Sequence, residues 1–210
     1  EYLQGTYVIS MAQPFRAHAK DLLEVQTYPD RRAGPGGQPE RPYDIAGWTL
    51  PLQMGVKTIT VVNEFEADLT LVKEIPKVQG KLLMVSEPVA YLFKNQTNAE
   101  TIALNRLLRE KDYTLYWSPM EFSVKGQKFP RGSVLITTLT IPIHASANLQ
   151  VLEESLGIEI YALDDVPFKD PSARLSQPRL GLYKPWVANV DEGWTRWVLE
   201  QHEFPYRNLT

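Results

Sequence analysis

"TNAETIALNRLLREKDYTLYW", Thr97 to Trp117, is the stretch on which the fold class turns. Thr97 and Glu100 have the spacing of a capping box, in which each residue satisfies a free backbone N–H of the other. Ala103, Leu104, Leu107 and Leu108 then fall on one apolar stripe, which predicts a helix over 97–111. Tyr113 to Trp117 changes period and composition, and reads as a strand. A helix running straight into a strand predicts an α/β fold, with a mixed sheet and helices packed on it.

Working outward, the same alternation recurs. Upstream, Lys81 to Val85 and Tyr91 to Phe93 read as short strands; downstream, Lys125-Gly126-Gln127 turns the chain and Ser133 to Thr138 runs back. A helix is predicted over Ala147 to Leu156 and a strand over Ile158 to Leu163. Further out, Thr6 to Ser10, Val56 to Val62 and Phe65 to Val72 have the apolar content of strands, and Phe15, Ala19, Leu22 and Leu23 have helical spacing after Pro14. Between them "YPDRRAGPGGQPERPYD", inside a Pro/Gly-rich stretch over 28–47, predicts a long surface loop.

The closing residues predict a separate unit. Leu180 to Tyr183 reads as a strand, Asp191 as the cap of a helix carrying Trp194, Trp197 and Val198 inward, and Tyr206 to Leu209 as a second strand. The expected organisation is an α/β accessory domain over 1–163, a linker over 164–178, and over 179–210 the beginning of an open α/β unit. "YLQGTYVIS", Tyr2 to Ser10, also lines up with "FPRGSVLIT", Phe129 to Thr137, and each precedes a helix, so an internal duplication is one reading. Glu1-Tyr2-Leu3-Gln4 reads as the interior of a longer chain, and both ends are expected to be truncated.

Composition narrows the function classes. A net charge of −3, with Arg31, Arg32, Arg41 and Lys57 scattered among acids, argues against a nucleic-acid surface. No apolar run approaches the roughly 18 residues of a membrane span. Cysteine is absent, which removes thiol catalysis, disulfides and cysteine-ligated zinc from these residues.

Candidate chemistry is sparse. His18-x-x-Asp21 with His144 downstream mimics a zinc-peptidase spacing, but His18 sits between alanines at a polar helical position, and zinc ligands need fixed supporting partners. His202 falls in the last helical turn, where a cation suits the helix dipole. "GPGGQP", Gly34 to Pro39, has prolines where a phosphate cradle needs N–H donors. The pairs Glu153-Glu154, Asp164-Asp165 and Asp191-Glu192 are adjacent in sequence and therefore expected to diverge. No catalytic or metal residue is assigned, and any ligand-binding residue is left open.

Two long stretches carry a resemblance. "GTYVISMAQPFRAHAKDLLEVQTYPDRR" (Gly5 to Arg32) with "RPYDIAGWTLPLQMGV" (Arg41 to Val56) resembles the region following the catalytic domain of large bacterial zinc carboxypeptidase-like proteins. "GLYKPWVANVDEGWTRWVLEQHEFPY" (Gly181 to Tyr206) resembles the entry to their next domain, which is similar to the class I glutamine amidotransferase fold. The resemblance implies a secreted or periplasmic metallopeptidase, a hydrolase whose zinc lies in a catalytic domain outside this segment. It implies that the partners are the missing peptidase and amidotransferase-like domains of the same protein, with a homo-oligomer also possible. The family's His-x-x-Glu motif does not occur here, so this segment alone is expected to be inactive. Three functions follow from the residues: a non-catalytic accessory or linker segment shaping structure or substrate access; a small-ligand-binding α/β module with Trp48, Trp117 and Trp186 around its pocket; or an enzyme of hydrolase or amidotransferase type, which lacks its nucleophile. An enclosed pocket favours the second, exposed apolar faces the first.

Overall fold

The computed structural model describes residues 2–25, 29–41, 50–138, 142–168 and 170–210. The chain divides into two units, 1–70 and 71–210. The boundary thus falls well before the 163/164 junction expected from composition.

The first unit contains two short helices, α1 (Arg16–Leu23) and α2 (Leu50–Gln53). Lys20 pairs with Glu24 one turn on, at 3.3 Å, and Thr58 Oγ1 donates to the carbonyl of Leu23. The Pro/Gly loop closes on itself: Arg32 and Pro39 form an antiparallel bridge, Gly37 N–H donates to Gly34, and Gly36 turns the chain at φ +74°. Residues 26–28 and 42–49 of the predicted loop region lie outside the described residues.

The strands expected at Thr6 to Ser10, Val56 to Val62 and Phe65 to Val72 do not form. Apolar alternation makes a segment competent to be a strand, but the ladder needs a neighbour to exchange hydrogen bonds. These segments are exposed, with Val8, Ile9, Ile59, Val61, Phe65 and Leu69 about half exposed or more. The segment aligned with Phe129 to Thr137 therefore lacks a strand where its counterpart has a central one. Among the described residues of this unit only Pro51 is buried.

The second unit holds the core. In chain order it runs β1 (Lys81–Leu83), β2 (Ala90–Phe93), α3 (Asn98–Leu107), β3 (Tyr113–Trp117), β4 (Phe122–Val124), β5 (Gln127–Phe129), β6 (Val134–Thr138), α4 (Pro142–Leu156), β7 (Glu159–Leu163), β8 (Leu180–Tyr183), α5 (Val190–Gln201) and β9 (Tyr206–Leu209). The main sheet has five strands in the order β1-β7-β2-β6-β3. β2, β6, β7 and β3 pair antiparallel, and β1 adds to β7 in parallel. From β2 to β7 the order is strand–helix–strand, strand–helix–strand, with the two halves interleaved: a split βαβ arrangement. The fold is α/β, as the alternation of elements predicts.

Period 2 sorts the side chains between two cores. Tyr91, Phe93, Leu115, Val134, Ile136, Ile160 and Ala162 point to the side covered by Ala103 and Leu107 of α3 and Leu149 and Leu152 of α4. Ala90, Leu92, Tyr116, Leu135 and Leu163 point the other way, toward Phe129 of the β4–β5 hairpin. There Phe122 stacks on Phe129 at 5.5 Å and meets Phe168 edge-on at 5.2 Å. The hairpin turns at Lys125 and Gly126, at φ +50° and +79°, where the sequence places its turn.

The predicted capping box is present at α3. Glu100 N–H donates to Thr97 Oγ1 at 3.2 Å, and Glu100 Oε2 accepts from Thr97 N at 2.8 Å and from Gln96 N at 2.5 Å. α4 begins five residues before the predicted start, with Pro142 in its first turn. It ends at Gly157, whose φ of +67° and contact with Val78 leave no room for a Cβ: one would lie 2.4 Å from the Val78 carbonyl oxygen. The predicted linker packs instead of spanning a gap. Ala173 is buried, Arg174 bridges to Tyr116, and Leu175 N–H donates to Leu115 at 2.8 Å, so this segment lies along the edge of β3.

Candidate interaction surface

The closing residues form a β8–α5–β9 module whose two strands pair in parallel, with Leu180 beside Tyr206 and Tyr183 beside Leu209. Both strands and the intervening loop match the sequence reading; the helix cap does not. Asn189, not Asp191, leaves the helical conformation and caps: its Oδ1 accepts from Asp191 N at 2.8 Å and Glu192 N at 3.3 Å. Asp191 and Glu192 instead occupy the first turn, where negative charge meets the positive end of the helix.

α5 ends in a Schellman motif. Phe204 N–H donates to Leu199 and Glu203 N–H to Glu200, and Glu203 takes the left-handed position at φ +56° that usually belongs to glycine. Holding a glutamate there costs about 1 kcal/mol. Side chains of α3 hold the corner in place. Asn105, almost fully buried, donates Nδ2 to the His202 carbonyl at 2.8 Å. Arg106 straddles the Glu203 carboxylate, with Nη2 to Oε1 at 2.7 Å and Nε to the two oxygens at 3.1 and 3.2 Å. Arg109 reaches the second oxygen at 3.3 Å and also donates to the Glu203 carbonyl. The Arg106 hydrogen bonds are the main cause holding the Glu203 carboxyl below the usual carboxylate range; the same bonds raise Arg106.

One face of α5 is apolar. Val190, Trp194, Trp197 and Val198 recur at helical spacing and are 70%, 64%, 51% and 46% exposed. The expectation that Trp194, Trp197 and Val198 point inward is therefore overturned. Two strands give α5 too little sheet to cover, so the half-buried side carries Glu192, Gly193, Arg196 and Leu199. Trp194 and Trp197 meet each other edge to face at 5.9 Å. Trp186 is fully exposed, and Tyr183, Val187 and Leu209 are at least half exposed. With indoles of roughly 200 Å² each, such a stripe leaves about 5 kcal/mol of burial open to a partner.

The remaining candidate residues do not converge. His18 lies exposed on α1, and the side chain of His144 is outside the described residues. The ring of His202 contacts the Val198 carbonyl at 3.0 Å. Among the described residues no group of three or more histidines and acids could hold a metal ion. The carboxylate pairs diverge: Glu153 is buried while Glu154 accepts from Gln150, Asp164 pairs with Lys125 at 2.9 Å while Asp165 accepts from Val166 N–H. Lys125 is the main cause holding Asp164 below its ordinary value.

Trp48 lies outside the described residues, and Trp117 sits under the Arg131 guanidinium at 5.9 Å. Neither of two concavities is lined by these tryptophans. One, of about 620 Å³, lies open along the consecutive residues Val62 to Glu66. The other, of about 200 Å³, is lined by Lys94, Thr97, Glu100, Gly157 and Glu159 among others. It falls below the roughly 300 Å³ at which small-molecule sites begin. No family profile, curated protein or solved structure matches this chain.

Asn105, Arg106, Arg109 and Glu203 were not singled out by sequence reasoning. One signal was available: an asparagine in the middle of a strong helix competes with its own backbone and is retained where it has another partner.

Proposed function

We propose that this chain is a non-catalytic accessory segment of a zinc carboxypeptidase-like protein, and that its closing module is a docking surface for a neighbouring amidotransferase-like α/β domain. The observation that carries the reading is the exposed Val190, Trp194, Trp197 and Val198 stripe on a helix that flanks only two parallel strands. Parallel pairs occur in sheets covered on both faces, so this pair has the form of a layer that another domain completes. The stretch Gly181 to Tyr206, which carries the family resemblance, is the same stretch that exposes this surface.

The job is structural. The module offers a strand edge and an aromatic stripe, and the peptidase-like neighbour supplies zinc and catalysis. In the parent gene, a His-x-x-Glu motif is expected upstream and further alternating strands and helices downstream. The test is acrylamide quenching of tryptophan emission in this chain and in the chain extended by the residues that follow it in its gene. Strong protection appearing only in the extended chain, and lost in W194S/W197S, is the expected result. Equal quenching in both, or a gene with neither feature, refutes the reading.

A further inference from the structure

The two units meet in sequence at a stretch of chain that is tied to nothing. Residues 70–77 belong to no helix or strand, are exposed throughout, and make neither a hydrogen bond nor an ion pair with any described residue. Leu71 and Ile75 are 80% and 94% exposed although both are large and apolar. An endoprotease binds the residues on both sides of its target bond as an extended strand, through the backbone groups that secondary structure also uses. A bond within a helix or ladder must therefore wait for local opening, while one in an untied, exposed stretch need not.

Among the described lysines, Lys73 alone has such chain on both sides. Lys20 lies in α1. Lys57 is flanked by Val56, whose N–H donates to Pro51, and by Thr58, whose hydroxyl donates to Leu23. Lys77 precedes Val78, whose carbonyl lies against Gly157, and Lys81, whose N–H donates to Ile158. Lys94 and Lys111 lie within two residues of β2 and β3, Lys125 and Lys128 belong to the β4–β5 hairpin, and Lys184 N–H donates to Leu209. We propose that the Lys73–Glu74 bond is a processing site for a lysine-directed endoprotease. Water adds across the amide C–N bond, leaving a carboxylate on Lys73 and an ammonium on Glu74. Among the described residues both hydrophobic cores are built between Leu82 and Leu175, and the β8–α5–β9 module follows them. The product 74–210 thus keeps the sheet and the tryptophan stripe. The piece 1–73 has only Pro51 buried among its described residues, so it has no core with which to resist further digestion.

The probe is a trace of lysyl endopeptidase acting on the full chain, with intact masses read over time. The persistent product is expected to begin at Glu74 and end at Thr210, and to form about tenfold or more faster than any cut beyond residue 77. In K73Q release of the second unit should slow by about tenfold or more, while K77Q should leave the rate unchanged. Purified 74–210 should unfold in urea in one cooperative transition by circular dichroism. A first cut beyond residue 77, or a persistent product that begins at Thr58 or Val78, overturns the inference. So does release undiminished in K73Q, or a product 74–210 without a cooperative transition.

Discussion

Replacing Glu203 by glutamine should release the closing module without unfolding the sheet it rests on. Glutamine keeps the shape and one acceptor but removes the charge that Arg106 and Arg109 converge upon. The Glu203 side chain is 27% exposed and those of Arg106 and Arg109 are 40% and 44%, so solvent screens the pair and its worth is far below a buried ion pair. For a partly exposed, bidentate, charge-assisted contact we expect about 1 kcal/mol, a roughly fivefold larger opening equilibrium. Asn105→Ala should cost more, about 1–3 kcal/mol, because it strips the His202 carbonyl of a partner and empties a buried site. Hydrogen exchange read by mass spectrometry resolves the two regions. Amides of 180–209 should exchange faster in both variants, while those of β2, β6 and β7 keep their rates. The reasoning fails if the module's rates do not change in E203Q, or if the five-stranded sheet loses protection in step with it. Because Glu203 titrates lower in the folded state, its contribution is complete above the ordinary carboxylate range and is lost as pH falls through the folded value. After correction for the intrinsic amide rate, which itself falls with pH, the module's opening equilibrium in the wild type should therefore grow on acidification, and in E203Q it should not.

Gly157→Ala should lower the urea midpoint by the equivalent of about 2 kcal/mol or more, since φ is +67° and the new methyl meets the Val78 carbonyl. Glu100→Ala, which strips the N–H groups of Gln96 and Thr97 just ahead of α3 of a buried acceptor, should cost about 1–2 kcal/mol in the same measurement. Burial and the hydrogen bond to Glu159 push the Tyr161 phenol up to about 12, so its stabilising share is present below the ordinary value of 10.0 and is lost between the two. Ultraviolet titration should show late-ionising tyrosines, Tyr161 among them with Tyr113 and Tyr206, and Glu159→Gln should bring Tyr161 down. Trp194→Ser should change the unfolding free energy by less than about 0.5 kcal/mol, as the indole is mostly exposed in this chain, while reducing binding of an apolar dye.

Local chemistry made most of the second unit readable. The Thr97–Glu100 box, the Lys125-Gly126 turn and the runs at Tyr113 to Trp117, Leu180 to Tyr183 and Tyr206 to Leu209 contain their own start, period and stop. What failed needed a distant partner. Val56 to Val62 has strand composition, but whether a ladder forms is decided by a neighbour that the segment cannot specify. Asn189 and Asp191 are both good caps, and which one leaves the helix depends on the loop entering it. The inward orientation expected of Trp194 and Trp197 assumed a sheet broad enough to cover them, and two strands are too few. The corner at Glu203 was hidden for a different reason: its partners Asn105, Arg106 and Arg109 are nearly a hundred residues away and look, in sequence, like the solvated side of α3.

Among the described residues, the hydrogen bonds that tie the module to the rest of its unit converge on one corner, where Asn105, Arg106 and Arg109 hold His202 and Glu203. α5 has 12 residues and is about 18 Å long, with Glu203 just beyond its C-terminal end. A tilt of about 10° about that corner would carry the far end of the helix, at Val190, some 3 Å. The aromatic stripe thus rides on a lever with its fulcrum at Glu203, and a small adjustment at the corner becomes a larger one where Val190 and Trp194 lie.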